Sequence, residues 1–140
     1  MKGYRKILIA VKGSKEVLRN GLNPAKDEKC WVTVVKVVPP NEGDLNLTGI
    51  KNIGDVLTNG TDRHAREIHE VAEAEKAIIK TRIEEGAVDE KIVEVAEDEQ
   101  CDLIIMGANK TTNFLKKLFG KNVVERVINQ APCPVLVVGA

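Results

Sequence analysis

Hydrophobic positions along the chain fall into two repeating patterns, short solid runs and stripes at helical spacing. Lys6-Ile7-Leu8-Ile9-Ala10-Val11 is a compact β-branched run that stops at Lys12-Gly13-Ser14, and residues 31–38 form a second, stopped by Pro39-Pro40. Runs of this length without polar alternation predict strands buried on both faces. Between them Ser14 can cap a helix carrying Val17, Leu18 and Leu22, but Gly21 and Pro24 predict that it is short or broken. Residues 41–60 have no sustained period and predict a long excursion. From Thr61 an amphipathic helix is expected, with Ala65, Ile68, Val71 and Ala72 on one face and an end near Lys76.

The second half repeats the alternation. Residues 78–83 predict a strand, although a helix continuing from the previous segment competes on periodicity alone. Val88, Ile92, Val93, Val95 and Ala96 then recur at helical spacing, followed by the buried run Asp102-Leu103-Ile104-Ile105-Met106-Gly107. Residues 109–119 form a basic connection with Phe114, Leu115, Leu118 and Phe119 able to pack beneath it. After Gly120 a helix places Val123, Val124, Val127 and Ile128 on one stripe. Ala131-Pro132-Cys133-Pro134 ends it before a terminal strand of Val135, Leu136, Val137 and Val138. Roughly five strands alternating with four helices force a parallel sheet covered on both faces, a three-layer α/β/α sandwich.

Composition narrows the reading. With 140 residues, 43% hydrophobic and 30% charged, the chain suits one domain spanning residues 1–140. Its 21 basic and 21 acidic residues cancel, so it lacks the broad positive field of a nucleic-acid binder. No apolar run approaches the ~18 residues of a membrane span, and the amino terminus is unlike a signal peptide, so no membrane association and a cytoplasmic location are expected. Cys30, Cys101 and Cys133 are widely spaced and odd in number, which predicts reduced core thiols.

In an open parallel sheet, ligands bind beyond the carboxyl ends of strands where the strand order reverses. The turn after the first strand and the connection from Gly107 to Gly120 converge there. Gly107 allows close backbone approach, and Gly120 opens a helix whose first amides, at Lys121, Asn122 and Val123, attract an anion. The same glycines would also serve simply as turns. Catalysis is not expected, because no Gly-x-Ser-x-Gly elbow surrounds Ser14 and Gly120-Lys121-Asn122 lacks the rest of a P-loop. His64 and His69 diverge on a helix and read as a solvated face.

Four segments together, namely the first strand with Gly13-Ser14, residues 32–39, Asp102-Leu103-Ile104-Ile105-Met106-Gly107, and Ala131-Pro132-Cys133-Pro134 with the strand after it, resemble the universal stress protein family. The resemblance spans essentially the whole chain. It implies a five-stranded parallel sheet of order 3-2-1-4-5, of the adenine nucleotide alpha hydrolase-like kind, and a homodimer pairing through residues 135–138. It also implies a non-catalytic stress-response binding protein. ATP or AMP is the implied ligand: adenine near Ala10, Lys12 and the backbone of Val37, with ribose and phosphates along Gly107, Asn109, Lys110, Gly120, Lys121, Asn122 and Val123, and Met106 also among the ligand-binding residues. Nucleotide-binding members carry Gly, two residues, Gly, nine residues, Gly and then Ser or Thr, and an Asp at the end of the first strand. Here Gly107 and Gly120 match, whereas Lys110, Lys121 and Lys12 replace the middle glycine, the hydroxyl and the Asp. A side chain at Lys110 misshapes a phosphate cradle, yet three lysines near one helix amino terminus attract phosphate. Mg²⁺ wants oxygen ligands, and no metal is expected. The alternative is a dimeric interaction scaffold that binds no nucleotide and presents residues 41–60 to a partner.

Overall fold

The computed structural model describes residues 5–12, 15–27, 30–38, 62–108 and 119–139. Its strands are β1 (Lys6–Val11), β2 (Trp31–Val38), β3 (Ile79–Glu85), β4 (Leu103–Ala108) and β5 (Val135–Gly139). The helices are α1 (Lys15–Asp27), α2 (Asp62–Ala74), α3 (Val88–Asp98) and α4 (Lys121–Gln130). All strands run parallel in one sheet of order β3-β2-β1-β4-β5. The expected excursion at residues 41–60 and the connection at 109–118 lie outside the described residues, as do Gly13 and Ser14.

Register explains why the two faces sort cleanly. Ile7 pairs with Val32 on one side and Leu103 on the other, and Ile9 with Val34 and Ile105, so side chains of one parity share a face. That face receives Leu18 and Leu22 of α1 and Ile68, Val71 and Ala72 of α2. Leu8, Ala10, Val35, Ile104 and Met106 form the other, against Ile92, Val95 and Ala96 of α3 and Val124 and Val127 of α4. The central strand β1 is sealed on both faces, which is why its sequence is a solid apolar run rather than an alternating one.

One expectation is corrected. α1 is neither short nor broken but runs for 13 residues through Gly21 and Pro24. A Cβ at Gly21 would sit 2.9 Å from Ile9 Cδ1, so the glycine is where helix and sheet come closest, not where the helix stops. Pro24 lies in the last turns and removes only one helical N–H.

α2 and α3 end in the same way. Lys76 and Gln100 take left-handed backbone (φ 58° and 54°). The Ala77 N–H then donates back to Ala72 O at 2.8 Å and the Cys101 N–H to Ala96 O at 2.9 Å. This Schellman geometry satisfies terminal carbonyls and turns the chain straight into β3 and toward β4. Residue 78 precedes β3 rather than opening it, and its side chain is almost wholly exposed. Cys101 is buried, and burial pushes its thiol up to about 12, so it stays neutral at physiological pH. Cys30 and Cys133 are half-buried.

Candidate functional site

The strand order reverses between β1 and β4, which places a crevice beyond their carboxyl ends. Ala10 pairs with Met106 on one side and Val35 on the other. Lys12, two residues farther on, therefore emerges at the same end as Gly107 and Val37. Ala10 and Met106 are sealed and form the floor of the crevice, while Lys12 is exposed at its rim. Val37 is half-buried and, with Val123 and Ala108, packs against the core on the α3 and α4 side.

The chain leaves β4 at Ala108 and is caught again at Phe119. The Phe119 N–H donates to Gly107 O at 3.0 Å, Phe119 bridges Ala108 in parallel fashion, and its ring is buried in the same core cluster. This clasp holds the start of α4 against the end of β4, and so brings Gly107 and Gly120 together. Sequence reasoning assigned Phe119 only a packing role. Its signal was a large apolar residue immediately before a helix-opening glycine.

Gly120 is the N-cap of α4, with ordinary extended backbone (φ −72°, ψ 162°) and no side-chain cap. The Val124 N–H donates to Gly120 O at 3.1 Å, so the amides of Lys121, Asn122 and Val123 have no acceptor within the helix. A Cβ on Gly120 would meet nothing within 4 Å. Neither backbone conformation nor packing therefore calls for glycine here. What glycine leaves is open ground in front of amides that have no acceptor among the described residues.

Lys121 occupies the first turn of α4 with its side chain 86% exposed, Nζ lying 3.9 Å from Glu125 Oε1. A cation at this end opposes the helix dipole, whereas α3 carries acids there, Asp89 and Glu90. Ala10, Lys12, Val37, Met106, Gly107, Gly120, Lys121, Asn122 and Val123 thus gather at one end of the sheet, while Asn109 and Lys110 fall outside the described residues. Exposed ammonium groups, amides without an acceptor among the described residues and an apolar floor make a crevice suited to an anion carrying an apolar portion. Among the described residues no cluster of three or more His, Cys, Asp or Glu is placed to hold a metal ion. His69 is exposed, its Nε2 sharing a hydrogen bond with Thr81 Oγ1 at 3.0 Å.

Comparison with known proteins identifies the family and agrees with the fold. The model of the universal stress protein family matches residues 3–139. A universal stress protein of Methanocaldococcus jannaschii is 36% identical over 145 residues, covering 96% of this chain and 82% of the relative. A second from the same organism is 47% identical over 60 residues, 43% of this chain and 36% of that protein. Its solved structure superimposes with a TM-score of 0.75 at 28% identity, covering 98% of this chain and 96% of its own. A universal stress protein from Archaeoglobus fulgidus, solved in complex with dAMP, shares the fold at 19% identity and a TM-score of 0.66, covering 96% and 97% of the two chains. A universal stress protein solved in complex with cAMP does so at 21% identity and a TM-score of 0.67, covering 97% of each chain. With the family model matching nearly end to end and the strand order in place, this chain belongs to the universal stress protein family.

Proposed function

We propose that this protein is a non-catalytic binding protein of the stress response, whose cleft beyond β1 and β4 takes an adenine nucleotide or a simpler phosphate. The observation that carries the reading is Gly120: a glycine with open space in front of it, placed before three amides that have no acceptor among the described residues. Two relatives of the same fold were solved with cyclic or deoxy adenosine monophosphate, which supports the ligand class. The cleft is an altered one. Lys12, Lys110 and Lys121 stand where nucleotide-binding relatives carry Asp, Gly and Ser or Thr, trading a shaped cradle for positive charge. Cytoplasmic location and a homodimer paired through β5 belong to the same proposal.

Calorimetry with ATP, AMP and inorganic phosphate tests it. At least one is expected to bind, and Gly120→Ala is expected to weaken that binding about tenfold, the cost of losing one or two charge-assisted contacts, while leaving stability within about 0.5 kcal/mol. Lys110→Gly combined with Lys121→Ser is expected to restore ATP affinity by removing the steric misfit. Silence from all three ligands at millimolar concentration overturns the binding reading and leaves the interaction scaffold.

A further inference from the structure

We infer that a second ligand site lies at the opposite end of the sheet, a cavity that takes a small aromatic anion. Its volume, ≈ 810 Å³, falls within the roughly 300–1,000 Å³ of ordinary small-molecule sites. It opens at the amino ends of β1, β2 and β3, separated from the phosphate cleft by the length of β1, about 20 Å. Trp31 and Ile78 stand at its mouth. Val32 pairs with Ile79, so the residues just before them lie side by side, and they are 77% and 94% exposed. Leaving two large apolar side chains in water is unfavourable, and an aromatic ring laid between them removes that surface from solvent.

The charges on the wall choose the sign of the ligand. Lys80 Nζ bonds both carboxylate oxygens of Glu99, at 3.0 and 2.9 Å, and Arg82 Nη1 reaches Glu99 at 3.4 Å, so the wall's acid is fully engaged. Asp102, the next acid along, accepts the backbone N–H groups of Arg5 and Lys6 at 3.0 and 3.2 Å. Among the described residues the Lys6 ammonium has no carboxylate within ion-pair distance, and it lines the cavity. An indole, an isoleucine and an ammonium with no ion-pair partner among the described residues, around one cavity, match a planar apolar ring bearing a carboxylate or sulfonate.

Trp31 is the only tryptophan in the chain, so its emission reports on this site directly. The probes are 8-anilinonaphthalene-1-sulfonate and its uncharged counterpart N-phenyl-1-naphthylamine. Saturable one-site binding of the sulfonate, with energy transfer from Trp31, is expected. Lys6→Gln should weaken the sulfonate about tenfold and leave the neutral probe unchanged, the size of one charge-assisted contact. Ile78→Asp, at a position exposed enough not to disturb folding, should weaken both. An excess of ATP should displace neither. Displacement by ATP would put the probe in the other cleft and overturn the inference, as would indifference to Ile78→Asp, equal loss of both probes in Lys6→Gln, or no saturable signal. The saturation, Ile78→Asp and Lys6→Gln outcomes do not depend on whether ATP binds in calorimetry, so they distinguish failure of this inference from failure of the nucleotide reading.

Discussion

At the scale of single residues, Gly21 shows how a contact overrides an intrinsic preference. Glycine costs a helix about 1 kcal/mol relative to alanine, so Gly21→Ala should strengthen an isolated α1. In the folded protein the new methyl would press on Ile9, at 2.9 Å from Cδ1 and 3.2 Å from Cγ1, and Ile9 is completely buried with nowhere to turn. Overpacking of this kind costs about 1–3 kcal/mol, which outweighs the helical gain. Gly21→Ala is therefore expected to lower stability by about 1 kcal/mol in urea denaturation, the difference between those two effects. Adding Ile9→Val removes Cδ1, and the pair should be less destabilised than the sum of the single changes. A Gly21→Ala protein more stable than the parent would mean that α1 does not rest on β1 as described. The same residue shows why the length of α1 was hidden in the sequence: Gly21 and Pro24 are read as breakers when only neighbours along the chain are considered, and the reason for the glycine lies on another element.

Among the elements, α4 is the one whose own stability and whose proposed use pull in opposite directions. Lys121 in its first turn faces the positive end of the dipole, and its distant contact with Glu125 offsets little of that. Lys121→Glu is expected to raise stability by about 0.3–1 kcal/mol in thermal or urea unfolding and, in the same protein, to reduce phosphate binding. A variant that gains stability and keeps its affinity would remove Lys121 from the site. The elements themselves were largely readable. Solid apolar runs marked β1, β2 and β4, and stripes at helical spacing marked α2, α3 and α4, because burial on one or two faces imposes those patterns directly. The strand reading of residues 78–83 also held, shifted to Ile79–Glu85. Hidden were features set by partners far along the chain: the clasp of Phe119 on Gly107, and the side-by-side placement of Trp31 and Ile78, which exists only because β2 and β3 run in register. Of the candidate site, the glycines and lysines could be picked out by motif. That Gly120 has open space around it could not.

Over the whole molecule, the two outer strands of the sheet differ in character. β3 is laced with charge: Arg82 reaches Glu84 at 3.1 Å, Asp98 at 3.3 Å and Glu99 at 3.4 Å, and Lys80 holds Glu99. Burial works against the Arg82 charge, but its bonds to Glu84 and Asp98 outweigh that and raise its pKa. β5 has only apolar side chains and glycine, and Leu136 and Val137 are 43% and 38% exposed. Charged outer strands resist pairing with another sheet, whereas apolar ones invite it. In the proposed homodimer, Val137→Lys is therefore expected to give a monomer in light scattering at concentrations where the parent is dimeric. A parent protein that scatters as a monomer would sink the pairing through β5. The asymmetry also limits how far assembly can proceed. When two copies join symmetrically through β5, each has spent its one receptive border, and both outward borders are the charged β3, so growth stops at two and the sheet does not extend into a fibre.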